Sequence, residues 1–245
     1  MLTEHTITKL SSMRLEGMME AYITQRKNPD ILSLDFEERF GMLVESQWIH
    51  QENRTLTRLL KNAKLKINAS IEDINWRKPR NLDHEMINRL AGSEWIRYGQ
   101  SCVITGPTGV GKSFIACALG NKACREGYKV LYLYAPKFFR ELLSARATGN
   151  LTKLIRKLSK IDLLVIDDWG LESAKQIQYR DFLEILDDRY GNGAVVISSQ
   201  YPLNTWHELI DDTTVADAIL DRIAHNSYNI EMKGDSMRKM QSLNK

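Results

Sequence analysis

Gly106-Pro107-Thr108-Gly109-Val110-Gly111-Lys112-Ser113 reads G-x-x-x-x-G-K-S, and this stretch decides the fold. Its glycines let successive backbone N–H groups turn inward and form a concave anion nest. Lys112 is expected to reach the β- and γ-phosphates of a bound nucleotide, and the Ser113 hydroxyl to complete the shell of a Mg²⁺ ion. Context makes the motif specific. Ser101 to Thr105 is a short apolar run of strand type. Phe114 to Leu119 begins a helical stretch that runs to Arg125, with Gly127 as its stop. Strand, glycine-rich loop and helix are the surroundings that a phosphate loop requires. The helix aims the positive end of its dipole at the phosphates.

Downstream of the loop, strand and helix patterns alternate. Val130–Tyr134, Leu163–Ile166, Ala194–Ser198 and Tyr228–Met232 are further strand candidates, with helical stretches through Phe138–Leu143, Leu151–Leu158 and Phe182–Leu186. Near-continuous apolar strands separated by helices predict an α/β fold with a parallel sheet covered on both faces.

Leu163-Leu164-Val165-Ile166-Asp167-Asp168 is a hydrophobic strand ending in two carboxylates. Asp167, at the carboxyl end of the strand, is placed to hold the Mg²⁺ shell near Ser113. Asp168 is the candidate for orienting an attacking water, although Asp is one methylene shorter than the Glu common at this place. Slow, partner-dependent hydrolysis is therefore expected. Ser198-Ser199-Gln200 closes the fourth strand, and either Ser199 or Gln200 could sense the γ-phosphate. Arg222 lies on an amphipathic helix with Asp217 and Asp221. Spacing allows a surface salt bridge, or a guanidinium supplied in trans to a neighbour's nucleotide. Arg238 is a second phosphate-sensing candidate. The guanine-reading N-K-x-D motif after a late strand is absent, which disfavours a GTPase, and no second substrate pocket or lid segment suggests a small-molecule kinase.

Residues 1–70 are read as a small all-α N-terminal domain, 71–100 as a connector and 101–245 as the nucleotide-binding domain. In the first, Asn28-Pro29-Asp30 breaks one helix and Asp35 opens a longer one. Its apolar stripe (Phe36, Phe40, Leu43, Val44, Trp48, Leu56, Leu59, Leu60, Ala63) either packs on itself or meets a partner. Trp76 and Trp95 could anchor the connector, where Pro79 restricts the backbone.

The 245 residues carry a net charge of +3, which permits nucleic-acid binding without demanding it. Basic residues do cluster. Arg54, Arg58, Lys61, Lys64 and Lys66 follow the apolar stripe, with Arg77, Lys78 and Arg80 soon after; Lys153, Arg156, Lys157 and Lys160 form a second group. Each is either a solvated face or a set of phosphate contacts that give affinity without sequence choice. Cys102, Cys117 and Cys124 form no C-x-x-C pair, so buried hydrophobes are expected rather than disulfides or a zinc site. No apolar signal core or membrane span is evident, and the reducing cytoplasm is the expected compartment.

Taken together, the phosphate loop, LLVIDDWG (Leu163 to Gly170), Asp187-Asp188-Arg189-Tyr190-Gly191, Ser198-Ser199-Gln200-Tyr201-Pro202, Trp206-His207, Ala216 to Arg222 and Gly234 to Lys239 resemble IstB. IstB is the helper ATPase of two-gene insertion-sequence transposons, in the branch of the AAA+ superfamily that also holds the DnaC helicase loader. The resemblance covers nearly all of residues 96–240. It implies an AAA+ P-loop module behind a small helical domain, with ATP as the nucleotide. It also implies self-assembly with ATP at subunit junctions, deformation of duplex target DNA, and delivery of that DNA to a cognate transposase. By the same resemblance Arg222 is the arginine finger and Asp168 a normal variant of the branch. A helicase loader engaging single-stranded DNA is the alternative on the same core. A nucleotide-gated protein that polymerises without useful turnover is a third reading.

Overall fold

The computed structural model describes residues 2–76, 80–224 and 227–237, in two compact units, Met1–Arg58 and Leu59–Lys245. The division falls inside a helix, twelve residues before the boundary expected near residue 70. Arg77, Lys78, Pro79 and Arg238 lie outside the described residues.

The first unit holds α1 (Leu2–Ser12), α2 (Glu16–Lys27), the short α3 (Pro29–Leu32) and most of α4 (Phe36–Ala63). Asn28 separates α2 from α3 and caps α3, its side chain accepting from the Asp30 N–H at 3.0 Å. Asp35 opens α4 as expected, accepting from the Glu38 N–H at 2.8 Å. Polar contacts fix the packing of α2 and α4. Gln47 accepts from the Met18 N–H at 3.1 Å, and Gln25 donates to the Arg39 carbonyl at 2.8 Å. Gly17 permits close approach, since a Cβ there would lie 2.6 Å from the Ser46 carbonyl. The apolar stripe of α4 is divided. Leu59 and Ala63 are buried, whereas Phe36, Phe40, Val44 and Trp48 are exposed, and Phe36 stacks on Phe40. Packing of the stripe on itself does not account for that exposed stretch.

In the second unit α4 ends at Ala63, and Lys64 takes a left-handed conformation (φ 52°) that turns the chain. The segment expected to be a connector is built into the unit. Ala69, Ile74, Ile87, Leu90 and Trp95 are all buried. It carries a 3₁₀ turn (Ile71–Asp73), α5 (His84–Ala91) and α6 (Glu94–Arg97). Trp95 donates to the Leu90 carbonyl at 2.8 Å, and Trp76 stacks on His84.

The remaining elements are β1 (Ser101–Thr105), α7 (Lys112–Arg125), β2 (Val130–Tyr134), α8 (Ala135–Ala147), α9 (Leu151–Leu158), β3 (Leu163–Trp169), α10 (Gln176–Arg189), β4 (Ala194–Ser199), α11 (Thr213–Ala224) and β5 (Ser227–Glu231). The five strands form one parallel sheet in the order β2-β3-β4-β1-β5. Every residue of β1 and β4 is buried, as expected for central strands covered on both faces. An aromatic core of Phe138, Phe139, Trp169, Tyr179, Phe182 and Trp206 packs against the sheet. The three cysteines are free and buried, and burial pushes the Cys102 thiol up to about 12 and that of Cys124 to about 11. They are packing groups, not reactive ones.

Candidate functional site

The site lies where β1, β3 and β4 end. Thr105 pairs with Ser199, and Tyr134 with Asp167, so these strand ends share one edge of the sheet.

Between β1 and α7 the loop winds around its own lysine. Gly106, Gly109 and Gly111 have φ of 144°, 86° and 106°, a region that L side chains rarely enter. Gly106 also lies against the chain that leaves β5: a Cβ there would collide with the Met232 carbonyl, and the Met232 N–H donates to Thr105 O at 2.8 Å. Further on, the Met237 N–H donates to Gly109 O at 2.9 Å. Lys112 is the first residue of α7 and is buried; its ammonium donates to the carbonyls of Gly106 at 2.8 Å and Pro107 at 2.9 Å. Val110 is buried beneath the loop, and the Thr108 hydroxyl donates to the Gln200 side-chain oxygen at 2.7 Å.

The two carboxylates at the end of β3 diverge because the strand bulges. Ile166 pairs with Ile197 and Trp169 with Ser199, so two residues of β3 oppose one of β4. Asp168 takes up the extra residue with φ of 61°, a conformation Asp tolerates better than most side chains. The bulge sends the two side chains to different surroundings. Asp167 is fully buried. Its Oδ1 accepts from Ser113 Oγ at 2.9 Å and, at short range, from Ser198 Oγ; its Oδ2 accepts from the Tyr132 hydroxyl at 2.7 Å. Ser198 in turn accepts from the Asp168 N–H at 3.1 Å. Lys66 completes the surroundings, with Nζ 3.6 Å from Asp167 Oδ2 and 3.9 Å from Asp168 Oδ2. Burial first, then the bond to Asp167, hold the Tyr132 phenol well above its ordinary pKa, so it stays a donor.

A hydroxyl and a carboxylate oxygen converging at hydrogen-bond distance suit Mg²⁺, a hard ion that takes one or two protein oxygens and draws the rest from phosphates and water. No group of three or more His, Cys, Asp or Glu that could hold a metal ion occurs among the described residues.

The loop and Asp168 border a cleft of about 530 Å³, from which the fully buried Asp167 is absent. Ile67, Phe114 and Met237 give it apolar surface; Lys112, Asp168 and Gln200 give it polar groups. Of the two residues left open at the end of β4, Gln200 lines the cleft. Ser199 is fully buried instead, donating to Trp169 O at 2.9 Å and accepting from the Tyr201 N–H at 3.1 Å. Arg80, grouped by sequence with the basic cluster, is buried and also lines the cleft, bonded to the carbonyls of Asn75 at 2.7 Å and Val110 at 3.3 Å. Burial lowers its pKa.

Arg222 is not among the residues lining the cleft. It pairs with Asp187 of α10 at 2.6 Å and with Asp221 at 3.5 Å, while Asp217 pairs with His207 at 3.5 Å. Arg54 and Arg58 are exposed on α4 in the first unit. In the second unit Lys61 is exposed, and Lys153, Arg156 and Lys157 occupy the outer face of α9 while Ile155 and Leu158 are buried; Lys160 follows, exposed. Lys64 and Lys157, from different sequence clusters, border one small cleft beside β2, with Lys137 and Glu141.

Sequence reading missed Tyr132, Ser198 and Lys66 as members of this site. Tyr132 and Ser198 could have been flagged as polar groups inside otherwise apolar strands. Lys66 gave no such signal.

The chain resembles known proteins in both sequence and fold. Residues 8–245 match the family described as IstB-like ATP binding protein. The chain is 43% identical over 241 residues to the insertion sequence ATP-binding protein y4pL of Sinorhizobium fredii, covering 98% of both chains. It is 41% identical over 206 residues to the insertion sequence IS1162 ATP-binding protein of Pseudomonas fluorescens, covering 84% of this chain and 89% of that one. In fold it is similar to the crystal structure of DnaI, with a TM-score of 0.58 at 22% identity over 72% of this chain and 94% of that one. No helix among the described residues is long and apolar enough to cross a membrane.

Proposed function

We propose, from the premise that this chain belongs to the family of IstB-like ATP-binding proteins, that it is an ATP-dependent helper of transposition acting in the cytoplasm. It assembles on duplex target DNA with ATP at subunit junctions, deforms that DNA and delivers it to a cognate transposase. The observation that carries the reading is the meeting of Ser113 Oγ and Asp167 Oδ1 at 2.9 Å beside the glycine loop. That meeting supports a site in which these two motifs would hold Mg²⁺ and a triphosphate between them.

In this reading the N–H groups of residues 106–113 cradle the phosphates, and Lys112 turns from the Gly106 and Pro107 carbonyls to the β- and γ-phosphates. Ser113 and Asp167 would hold Mg²⁺, which supplies neutralisation of charge on the β- and γ-oxygens. Asp168 orients the attacking water and accepts its proton, and Gln200, tied to Thr108, registers the γ-phosphate. Ile67, Phe114 and Met237 offer apolar surface to the base. Arg222 acts on the nucleotide of the next subunit; its place outside the cleft supports a role in trans rather than in cis. Residues 1–70 meet DNA and partner. Arg54, Arg58, Lys61, Lys64, Lys153, Arg156, Lys157 and Lys160 contact phosphates, and repetition along an oligomer multiplies their weak individual effects. Arg238 is proposed as a further phosphate contact. Turnover is slow and stimulated by the transposase.

The test is ATP-dependent assembly on duplex DNA, followed by sedimentation. Lys112→Ala is expected to lose both nucleotide binding and assembly. Arg222→Ala is expected to bind nucleotide normally and fail to assemble. Normal assembly by both variants would refute the scheme. Tighter binding to single-stranded than to duplex DNA would favour a helicase loader instead.

A further inference from the structure

Lys66 lies three residues beyond the end of α4, between Leu65 and Ile67, which pack on the small core of Ala69, Cys117 and Ala118. The backbone is thereby anchored, while the side chain is 43% exposed. Its ammonium is within reach of both carboxylates at the β3 bulge, 3.6 Å from Asp167 and 3.9 Å from Asp168, and sits 5.3 Å from the centre of the Tyr134 ring.

A fully buried carboxylate beside a second one is costly unless positive charge is near. Lys66 supplies some of that charge without a metal. The divalent cation expected with the nucleotide would draw on the same two negative charges, from the Ser113 side of Asp167. The two cations therefore compete electrostatically. The Tyr134 ring offers the ammonium a nearby resting place when its hold on the carboxylates weakens.

We propose that Lys66 is the resident counter-ion of the Asp167–Asp168 pair, a positioning residue that yields those carboxylates to the metal when metal–nucleotide binds. Lys66 thus weakens the metal dependence of nucleotide binding. The inference rests on the ATP-site reading above.

The experiment titrates a fluorescent ATP analogue into the full chain, with Mg²⁺ and with EDTA, and takes the ratio of the two affinities. A half-exposed ion pair contributes modestly, so Lys66→Met is expected to raise that ratio about fivefold. Lys66→Arg keeps the charge and should keep the wild-type ratio. Lys129→Met, before the start of β2 and so at the strand end away from Tyr134 and Asp167, removes an exposed charge and should also leave the ratio unchanged. A ratio in Lys66→Met within twofold of wild type, or equal rises in Lys66→Met and Lys129→Met, would overturn the counter-ion role. Failure of the wild type to bind the analogue under either condition overturns the nucleotide-site reading itself, and this inference with it.

Discussion

Tyr132→Phe removes one oxygen from the protein and tests the buried network at Asp167. The Tyr132 hydroxyl donates to Asp167 Oδ2 at 2.7 Å, and Asp167 is fully buried. Its ring packs beside Leu65 and Phe114 on the core of Ala69, Cys117 and Ala118, contacts that Phe preserves. The loss is then confined to the hydrogen bond. A bond to a charged acceptor contributes about 1.5–3 kcal/mol, and a buried carboxylate left short of a donor cannot recover that from water. For a chain of this size the same figure corresponds to a fall in Tm of about 3–12 °C. The assay is thermal or urea unfolding without nucleotide, comparing wild type, Tyr132→Phe, Asp167→Asn and the double variant. Coupling between the two sites of at least about 1 kcal/mol is expected, because they share one bond. If Tyr132→Phe costs as much in the Asp167→Asn background as in the wild type, the hydroxyl is not stabilising the carboxylate, and the reasoning fails.

Gly106→Ala is expected to cost about 1–3 kcal/mol through backbone strain at φ 144° and the collision with the Met232 carbonyl, and to lower ATP affinity at least about tenfold; Gly127→Ala, at φ 88° with open space around it, should weaken stability by about 1 kcal/mol and leave ATP affinity alone in the same titration. Arg189 is buried and donates to the carbonyls of Leu158, Ile161, Asp162 and Ala194, with burial lowering its pKa to about 10. Arg189→Met abolishes those bonds and should destabilise by about 3–5 kcal/mol in urea unfolding, since the relief of burying the charge does not replace several carbonyl partners. A loss below about 1 kcal/mol would show that water reaches those carbonyls. Asp212 caps α11 and has its pKa lowered from 3.8, first by the Gln176 side chain, then by the Val215 N–H and Arg180. Its native value lies below the unfolded one, so its stabilisation is complete above that unfolded value and disappears as pH falls through the native value. The Tm difference between wild type and Asp212→Ala should therefore be constant between about pH 5 and 7 and shrink in acid; a difference unchanged down to about pH 2 would contradict the assignment.

The exposed stretch of α4 shows where a helical pattern stops being informative. Leu59 and Ala63 are buried, but they belong to the second unit, and Phe36, Phe40 and Trp48 carry the same spacing into solvent in the first. Periodicity fixes which residues share a helix face. It does not say whether anything covers that face.

The chain's local chemistry was enough to identify the phosphate loop, the carboxylate-ended strand and each strand of the sheet. A loop that wraps a phosphate needs glycines at fixed positions, and a central parallel strand covered on both sides needs a near-continuous apolar run, whereas the edge strand β5 shows only a short mixed one; all are properties of contiguous residues. The partners of Asp167 are a different matter. Tyr132 reaches it because β2 pairs with β3, and Ser198 because β4 lies on the other side, so strand order and register decide both. The bulge turned Asp167 and Asp168 toward different surroundings, and the pairing of Ser199 with Thr105 put Ser199 in the core while Gln200 faces the cleft. Lys66 and Arg80 looked like members of a basic run and became neighbours of Asp168 and the cleft beside the glycine loop only when the chain folded back across it. Sequence alone determined the glycine loop and the carboxylate-ended strand, because those patterns are local; tertiary structure decided which polar and charged groups surround the buried Asp167, because those contacts join residues distant along the chain.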